Sequence, residues 1–502
     1  MERPEPRRRP ARDRTHALNR NSAIAGLTLP NQPSLIRLVN RPICFLLSLA
    51  VAIMGPADAA LPSTELPADV TPFSAHDRVL ILAPHPDDEV LGCAGIIQKA
   101  VAAKAPVRIV FLTYGDNNEW SFTVYRHKPV LAPASMRQMG KIRRDEALAA
   151  AAVLGLSPDH LTFLGYPDFG TLAIWNDHWN TDPPYRSMLT RVTAVPYSTA
   201  YRPGASYKGD DILSDLEAVL TQYRPTRVFV SHPADHNPDH RALYLFLRVA
   251  LWDLAKQMSP RVYPYLIHYV GWPRPRGYYP ADALSPPDLF QDEITWQISP
   301  LSPAERVKKF EALQKHYTQY LYSGAYLASF CRTNELFGDF PVTTLVSETK
   351  DEPLVSEHLT DAERAEFVGL EERDADMKAG FLVLRVRLSR PMGETVETWM
   401  SAFGYRRDRP FAVMPKLNIQ FGNIHHRLYD RGKRILDPRV RMIRHPRELI
   451  VEIPLDLLGQ PERILTSSRT TLGRVPLDWM SWRVLDVPAE AKISPAAPLR
   501  NR

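Results

Sequence analysis

The chain has 502 residues, 44% apolar and 24% charged, an ordinary soluble composition but too long for one core, since single cores stop growing near ~250–300 residues. Its formal net charge of +6 misleads. Residues 1–59 hold nine arginines, no lysine and four acids, and the rest of the chain carries 53 basic and 52 acidic residues, so charge gives no case for nucleic-acid binding.

The basic arm has an export reading. Arg37 and Arg41 precede twelve mostly apolar residues, Ile43 to Met54, then Gly55-Pro56 and Ala57-Asp58-Ala59. This is the order of a secretory signal with an A-x-A cleavage site. The run is shorter than the ~20 residues a membrane span needs. It predicts an exported protein, periplasmic or extracellular, with no stable span after cleavage; an uncleaved interfacial anchor is the alternative. Of three cysteines, Cys44 lies in this segment and Cys93 and Cys331 remain. Two distant cysteines make no disulfide framework, and Cys93, on an apolar helix start, is expected to pack in the core.

After a Pro-rich linker (60–75), strand and helix patterns alternate: strand Arg78–Ala83, helix Leu91–Ala103, strand Val107–Thr113, an insertion with Trp120, Tyr125 and His127, helix Met136–Leu154 and strand Leu161–Leu164. A long loop with Trp175, His178 and Trp179 follows, then helix Asp211–Gln222, strand Arg227–Ser231, helix Asp239–Leu254 and a last helix near Pro303–Ser323. Repeated βαβ units predict an α/β three-layer sandwich with a mostly parallel, Rossmann-like sheet over 76–345. Beyond about Lys350 the pattern alternates at period two, as in Phe381–Leu388, Phe411–Phe421 and Glu448–Ile453. This predicts a smaller, all-β, sandwich-like domain over 350–487 and a frayed tail over 488–502.

Two turns carry the chemistry. Ala83-Pro84-His85-Pro86-Asp87-Asp88-Glu89 leaves the first strand, and Ser231-His232-Pro233-Ala234-Asp235-His236-Asn237-Pro238-Asp239-His240 leaves a later one. Strand ends are where open α/β sheets bind ligands. Adjacent carboxylates beside a histidine repel unless a cation sits among them. A catalytic zinc site takes three protein ligands and keeps one position for water. His85, Asp88 and His240 would supply N, O and N, leaving Asp87 as the base for that water, whose pKa zinc lowers to ~7. Ferrous iron fits the same ligands. Either turn alone could instead be a capping loop with solvated side chains; two at two strand ends are harder to explain that way.

The A-x-H-P-D-D-E segment with a later P-D-H resembles the PIG-L/LmbE-like zinc N-deacetylases, over about residues 76–340. That family removes acetyl groups from N-acetylglucosaminyl compounds, including glycolipids and thiol-sugar conjugates. The resemblance implies His85, Asp88 and His240 as zinc ligands, Asp87 as general base, and Arg143 reaching toward substrate. Asp168 in Gly-Tyr-Pro-Asp would line a sugar pocket, and Asp116 matches more loosely. Relatives often read H-P-D-H where this chain has Asn237. Asn can donate a hydrogen bond to an oxyanion but carries no proton, so protonation of the leaving amine falls to Asp87, or to His236 if its loop turns inward. Asp239 is expected to hold His240 through its other ring nitrogen or to cap the helix. His268 and His316 read as packed core histidines, and Trp175 and Trp179 as either sugar-stacking rings or loop anchors.

The sequence reading is therefore a zinc-dependent amide hydrolase acting on an amino-sugar-containing substrate of an envelope or extracellular glycan. An amidase for a larger acyl or thiol-sugar conjugate is the second reading, and an idle carbohydrate-binding protein the third. Nothing in the sequence fixes the oligomeric state.

Overall fold

The apolar run at 79–83 forms a fully buried strand, and its position decides where the chemistry sits. The computed structural model describes residues 68–117, 132–290, 293–343, 346–349 and 359–492. In chain order its first elements are β1 (Ala68–Asp69), β2 (Val79–Ala83), α1 (Asp88–Ala102), β3 (Val107–Thr113), α2 (Pro133–Val153), β4 (Leu161–Tyr166) and α3 (Thr171–Asp177). Then come α4 (Gly209–Tyr223), β5 (Arg227–Ser231), α5 (Pro238–Asp253), β6 (Arg261–Tyr265), β7 (Gln297–Pro300), α6 (Pro303–Lys315), α7 (Tyr317–Ala328) and β8 (Asn334–Phe337).

Five strands make a parallel sheet in the order β4-β3-β2-β5-β6. Side chains of β2 alternate between its two faces: Val79, Ile81 and Ala83 enter one apolar cluster, Leu80 and Leu82 the other. This is the three-layer α/β arrangement, helices covering both faces. The chain winds from β2 outward to β4, then returns to β5 on the other side of β2. Strand order therefore reverses between β2 and β5, and the two His/Asp turns leave these two strands. Such a reversal opens a crevice at the carboxyl ends of the strands.

The β elements that follow are β9 (Val346–Thr349), β10 (Leu370–Lys378), β11 (Phe381–Leu388), β12 (Val396–Tyr405), β13 (Lys416–Phe421), β14 (His426–Asp430), β15 (Lys433–Ile435), β16 (Arg441–Arg444), β17 (Glu448–Pro454), β18 (Arg463–Leu472) and β19 (Val475–Asp486). They form antiparallel sheets β16-β17-β11-β10-β9 and β15-β14-β13-β12-β18-β19, enclosing a core that includes Leu384, Met400, Ile419 and Val451. The outer face of the six-stranded sheet packs on the α/β layer: Phe403, Tyr405, Leu465 and Trp482 share one apolar cluster with Trp175, Trp179 and Phe246.

Several expectations change. Trp175 and Trp179 are fully buried against Phe246 and Phe411, so they anchor the two layers and offer no sugar-stacking surface. Trp175 lies on α3, where a loop was expected. The helix expected over 303–323 breaks at His316. The strand expected from Phe411 starts at Lys416, because Phe411–Val413 forms a 3-10 turn. Cys93 and Cys331 are buried free thiols. Among the described residues no helix is long and apolar enough to cross a membrane. The export segment, Trp120, Tyr125, His127 and the tail beyond 492 lie outside the described residues.

Candidate metal centre

The β2 and β5 turns meet. Asp88 Oδ2 lies 3.2 Å from His85 Nδ1 and 3.1 Å from His240 Nε2. These residues offer one ligand atom each within 4.8 Å of one another. All three are buried. Neither ring nitrogen of His240 has an aligned hydrogen-bond partner, although a carboxylate oxygen is close to each, Asp88 at Nε2 and Asp235 at Nδ1. A buried imidazole nitrogen facing a carboxylate without a hydrogen bond suits a cation between them, and an N, O, N donor set suits zinc. The residues present therefore fit a divalent metal.

The ring nitrogens facing away are held by carboxylates. His85 Nε2 lies 3.1 Å from Asp168 Oδ1 and 3.2 Å from Asp239 Oδ2. His240 Nδ1 lies 3.0 Å from Asp235 Oδ2. Burial opposes protonation of His240, but Asp235 and Asp88 outweigh it and push its pKa up to about 9. Burial likewise opposes a charge on Asp88, which the flanking imidazoles hold well below the usual carboxylate range.

Asp87 stands apart from the ligand set. Its backbone has φ 135°, a conformation that L side chains rarely adopt and that costs ~1–3 kcal/mol. Its side chain makes no capping bond to α1, so the capping-loop reading fails for this residue. Its N–H donates to Glu89 Oε2 at 2.9 Å, and Glu89 Oε1 lies 2.8 Å from the buried His316 Nε2. Burial pushes the Asp87 carboxyl up to about 7, Arg143 pulls it down and Asp88 pushes it up. A carboxylate poised near neutral pH is suited to take and return a proton.

The other predicted residues take places of their own. Arg143 is buried; it donates to Gly115 O and Pro86 O at 3.0 and 2.7 Å and stands 3.5 Å from Asp87 Oδ2. It clamps the Asp87 turn through two loop carbonyls, where it was expected to reach substrate, and its Nε is buried without a hydrogen-bond partner. Asp168 is buried, with Oδ2 accepting from Asn117 N–H at 2.8 Å, which places it against His85 and not on an open sugar pocket. Asp116 is buried and accepts a short hydrogen bond from Tyr197 Oη; burial and the Asp168 charge push it up to about 7.

Asp239 holds His85, where it was expected to hold His240; it also accepts from Thr171 N–H at 3.0 Å and Phe169 N–H at 2.5 Å, which ties the β4 loop to α5. Asn237 caps α5, its Oδ1 accepting from Asp239 N–H at 2.9 Å, which leaves its Nδ2 as the group with a hydrogen bond to donate. His236 packs on Tyr269 and Trp479, both at 5.3 Å between ring centroids.

Sequence reasoning missed five contributors. Asp235 lies five residues before His240, and the choice between it and Asp239 is geometric, not compositional. His316 and Glu89 brace Asp87, with no spacing signal linking positions 227 residues apart. The His268 ring lies 4.8 Å from that of His240, and Trp479 arrives from the β sandwich.

Part of the chain is similar to known proteins. Residues 80–251 match the family model described as PIG-L, GlcNAc-PI de-N-acetylase. Over about a third of its length the chain is thus similar to the PIG-L family. A 1D-myo-inositol 2-acetamido-2-deoxy-alpha-D-glucopyranoside deacetylase of Mycobacterium sp. (strain KMS) is 33% identical over 180 residues, 36% of this chain and 53% of that protein. The chain thus spans about half the length of this relative. The enzyme of the same name from Kribbella flavida is 28% identical over 304 residues, 52% of this chain and 89% of that protein. Among solved structures, the N,N'-diacetylchitobiose deacetylase from Pyrococcus horikoshii is 20% identical, covering 52% of this chain and 82% of its own, with a TM-score of 0.31. The PIG-L match spans β2 to α5 and so includes both turns of the site, while the β sandwich lies outside it.

Proposed function

We propose that the chain is an exported, zinc-dependent amide hydrolase that removes N-acetyl groups from N-acetylglucosamine-type sugars of an envelope or extracellular glycan. One observation carries this reading. His85 Nδ1, Asp88 Oδ2 and His240 Nε2 converge from two strand ends, with the Asp87 carboxyl beside them, 3.5 Å from Arg143 Nη2 and outside the ligand set. The PIG-L match and the deacetylase names of its relatives support the acetamide as the bond cleaved. Export rests on the signal-like segment at 37–59.

When bound by His85, Asp88 and His240, a zinc ion supplies Lewis-acid polarisation and a more acidic water. The chain supplies the rest. Asp87 Oδ takes a proton from the attacking water and returns it to the departing amine nitrogen, so acetate and a free amine leave. Arg143 and the Glu89–His316 pair hold Asp87 in its strained backbone position. Asp168, Asp239 and Asp235 fix both imidazoles with their ligating nitrogens inward.

The test is acetate release from N-acetylglucosaminyl compounds by the purified chain, coupled to metal analysis. One equivalent of zinc or iron with acetate release supports the reading. A metal-loaded protein that releases no acetate from any N-acetylated amino sugar rejects it.

A further inference from the structure

A row of side chains crosses the six-stranded sheet and starts beside the metal-site loop. Trp479 on β19 pairs directly with Arg469 on β18, and Arg469 with Trp399 on β12. Trp399 pairs with Gln420 on β13, and Gln420 with Arg427 on β14. Directly opposed residues of an antiparallel sheet share one face. Strands lie ~4.8 Å apart, so the row runs about 19 Å, the length of a short oligosaccharide.

This is the outer face of the sandwich. Along β12, Trp399 shares its side with Phe403 and Tyr405, which are buried against the α/β layer. Where that layer ends, the face reaches solvent: Arg469 is exposed, and Trp399, Trp479, Arg427 and Tyr429 are partly so. The catalytic end is marked by Trp479. Its ring lies 5.3 Å from His236 and 4.3 Å from the Arg241 guanidinium, on either side of the Asn237–His240 turn.

The chemistry of the row alternates. Arg469 sits 5.5 Å from the Trp399 ring, which stacks on Tyr429 at 5.9 Å. Flat indole faces suit the apolar faces of pyranose rings, and guanidinium forks suit carboxylates. Among the described residues, Arg241, Arg427 and Arg469 make no ion pair, and Asp177 offsets part of the Arg469 charge. An Arg and aromatic strip also suits single-stranded nucleic acid. The near-neutral body of the chain and the opening of the strip onto the metal-site loop favour the glycan.

We propose that this strip is the binding shelf for an extended acidic glycan, its uronate carboxylates on the arginines and its sugar faces on Trp399 and Trp479, leading the chain to the metal centre. The N-acetylated character of that glycan rests on the deacetylase reading; the shelf does not.

The test is calorimetric binding to the full chain after metal chelation, so that turnover plays no part. Probes are a hyaluronan hexasaccharide, a neutral N-acetylglucosamine hexamer and a single-stranded oligothymidine. The hyaluronan hexasaccharide is expected to bind about tenfold tighter than the neutral hexamer, with affinity falling as salt rises. Trp399→Ala with Arg469→Ala should weaken it at least tenfold, while Trp399→Phe with Arg469→Lys, which keeps ring and charge, should restore most of the loss. Equal binding by wild type and the alanine variant overturns the proposal, as does tighter binding of oligothymidine. Failure of acetate release with shelf binding intact would count against the deacetylase reading alone.

Discussion

His240 and Asp235 are joined at 3.0 Å between Nδ1 and Oδ2, and this contact fixes which ring nitrogen faces Asp88. Asp235 is itself locked: it accepts from the backbone N–H groups of Asn237, Ile267 and His268. The β5 and β6 loops are thus tied through one carboxylate. Removing its charge frees the imidazole to turn and lowers its basicity toward a metal. Asp235→Asn is expected to weaken zinc affinity ~10–100-fold, as measured by competition with a chromophoric chelator. Unchanged affinity would mean that packing alone orients His240.

Asp87 is assigned the proton-transfer role and no ligand role. Asp87→Ala should lower turnover by ~10²–10⁴-fold while bound metal stays at the wild-type level. Glu89→Ala should produce a smaller loss in kcat, because it releases the Asp87 N–H without touching the carboxyl. Turnover and metal content measured on the same samples decide between the two roles. Loss of metal from Asp87→Ala would make Asp87 a ligand and displace the present assignment.

Much of the fold was legible because βαβ units write their strands as short apolar runs. Val107–Thr113 and Arg227–Ser231 were read to the residue, and β2 to within one. The two turns were legible because each packs its donors within a few residues after a strand. What could not be read was the pairing among them. Both Asp235 and Asp239 stand near His240 in sequence; which imidazole each one reaches depends on how α5 crosses toward β2, and a sequence does not show that crossing. The same holds for Trp175, Trp179 and Trp479: contact across the interface with the sandwich decides which are buried and which line a surface.

Trp175 joins the two layers. It is fully buried, with Phe246 on one side and Phe403, Phe411 and Trp482 of the sandwich on the other. Trp175→Ala should cost ~3–5 kcal/mol in urea unfolding. Because the cluster is shared, the α/β layer and the sandwich should both shift to lower denaturant. If near-ultraviolet and far-ultraviolet signals separate into two transitions already in the wild type, the layers are energetically independent and this expectation fails.

A second link between the layers is sensitive to pH. Glu217 on α4 and Asp253 at the end of α5 share a hydrogen bond, and Asp253 also accepts from Tyr405 Oη of β12 at 2.8 Å. Burial, the Asp253 charge and the shared bond push the Glu217 carboxyl up to about 7, from an ordinary 4.5. The folded protein therefore holds a proton that the unfolded chain releases. Its contribution to stability is fully present below about pH 4.5 and is lost as pH rises through 7. Both groups are partly solvated, so screening keeps the effect to about 1 kcal/mol or less. Glu217→Gln keeps the donor without the titration, and should flatten the decline in unfolding free energy between pH 5 and 8 that the wild type shows. A variant whose pH profile overlays the wild type over that window would show that the pair does not share a proton in the folded state.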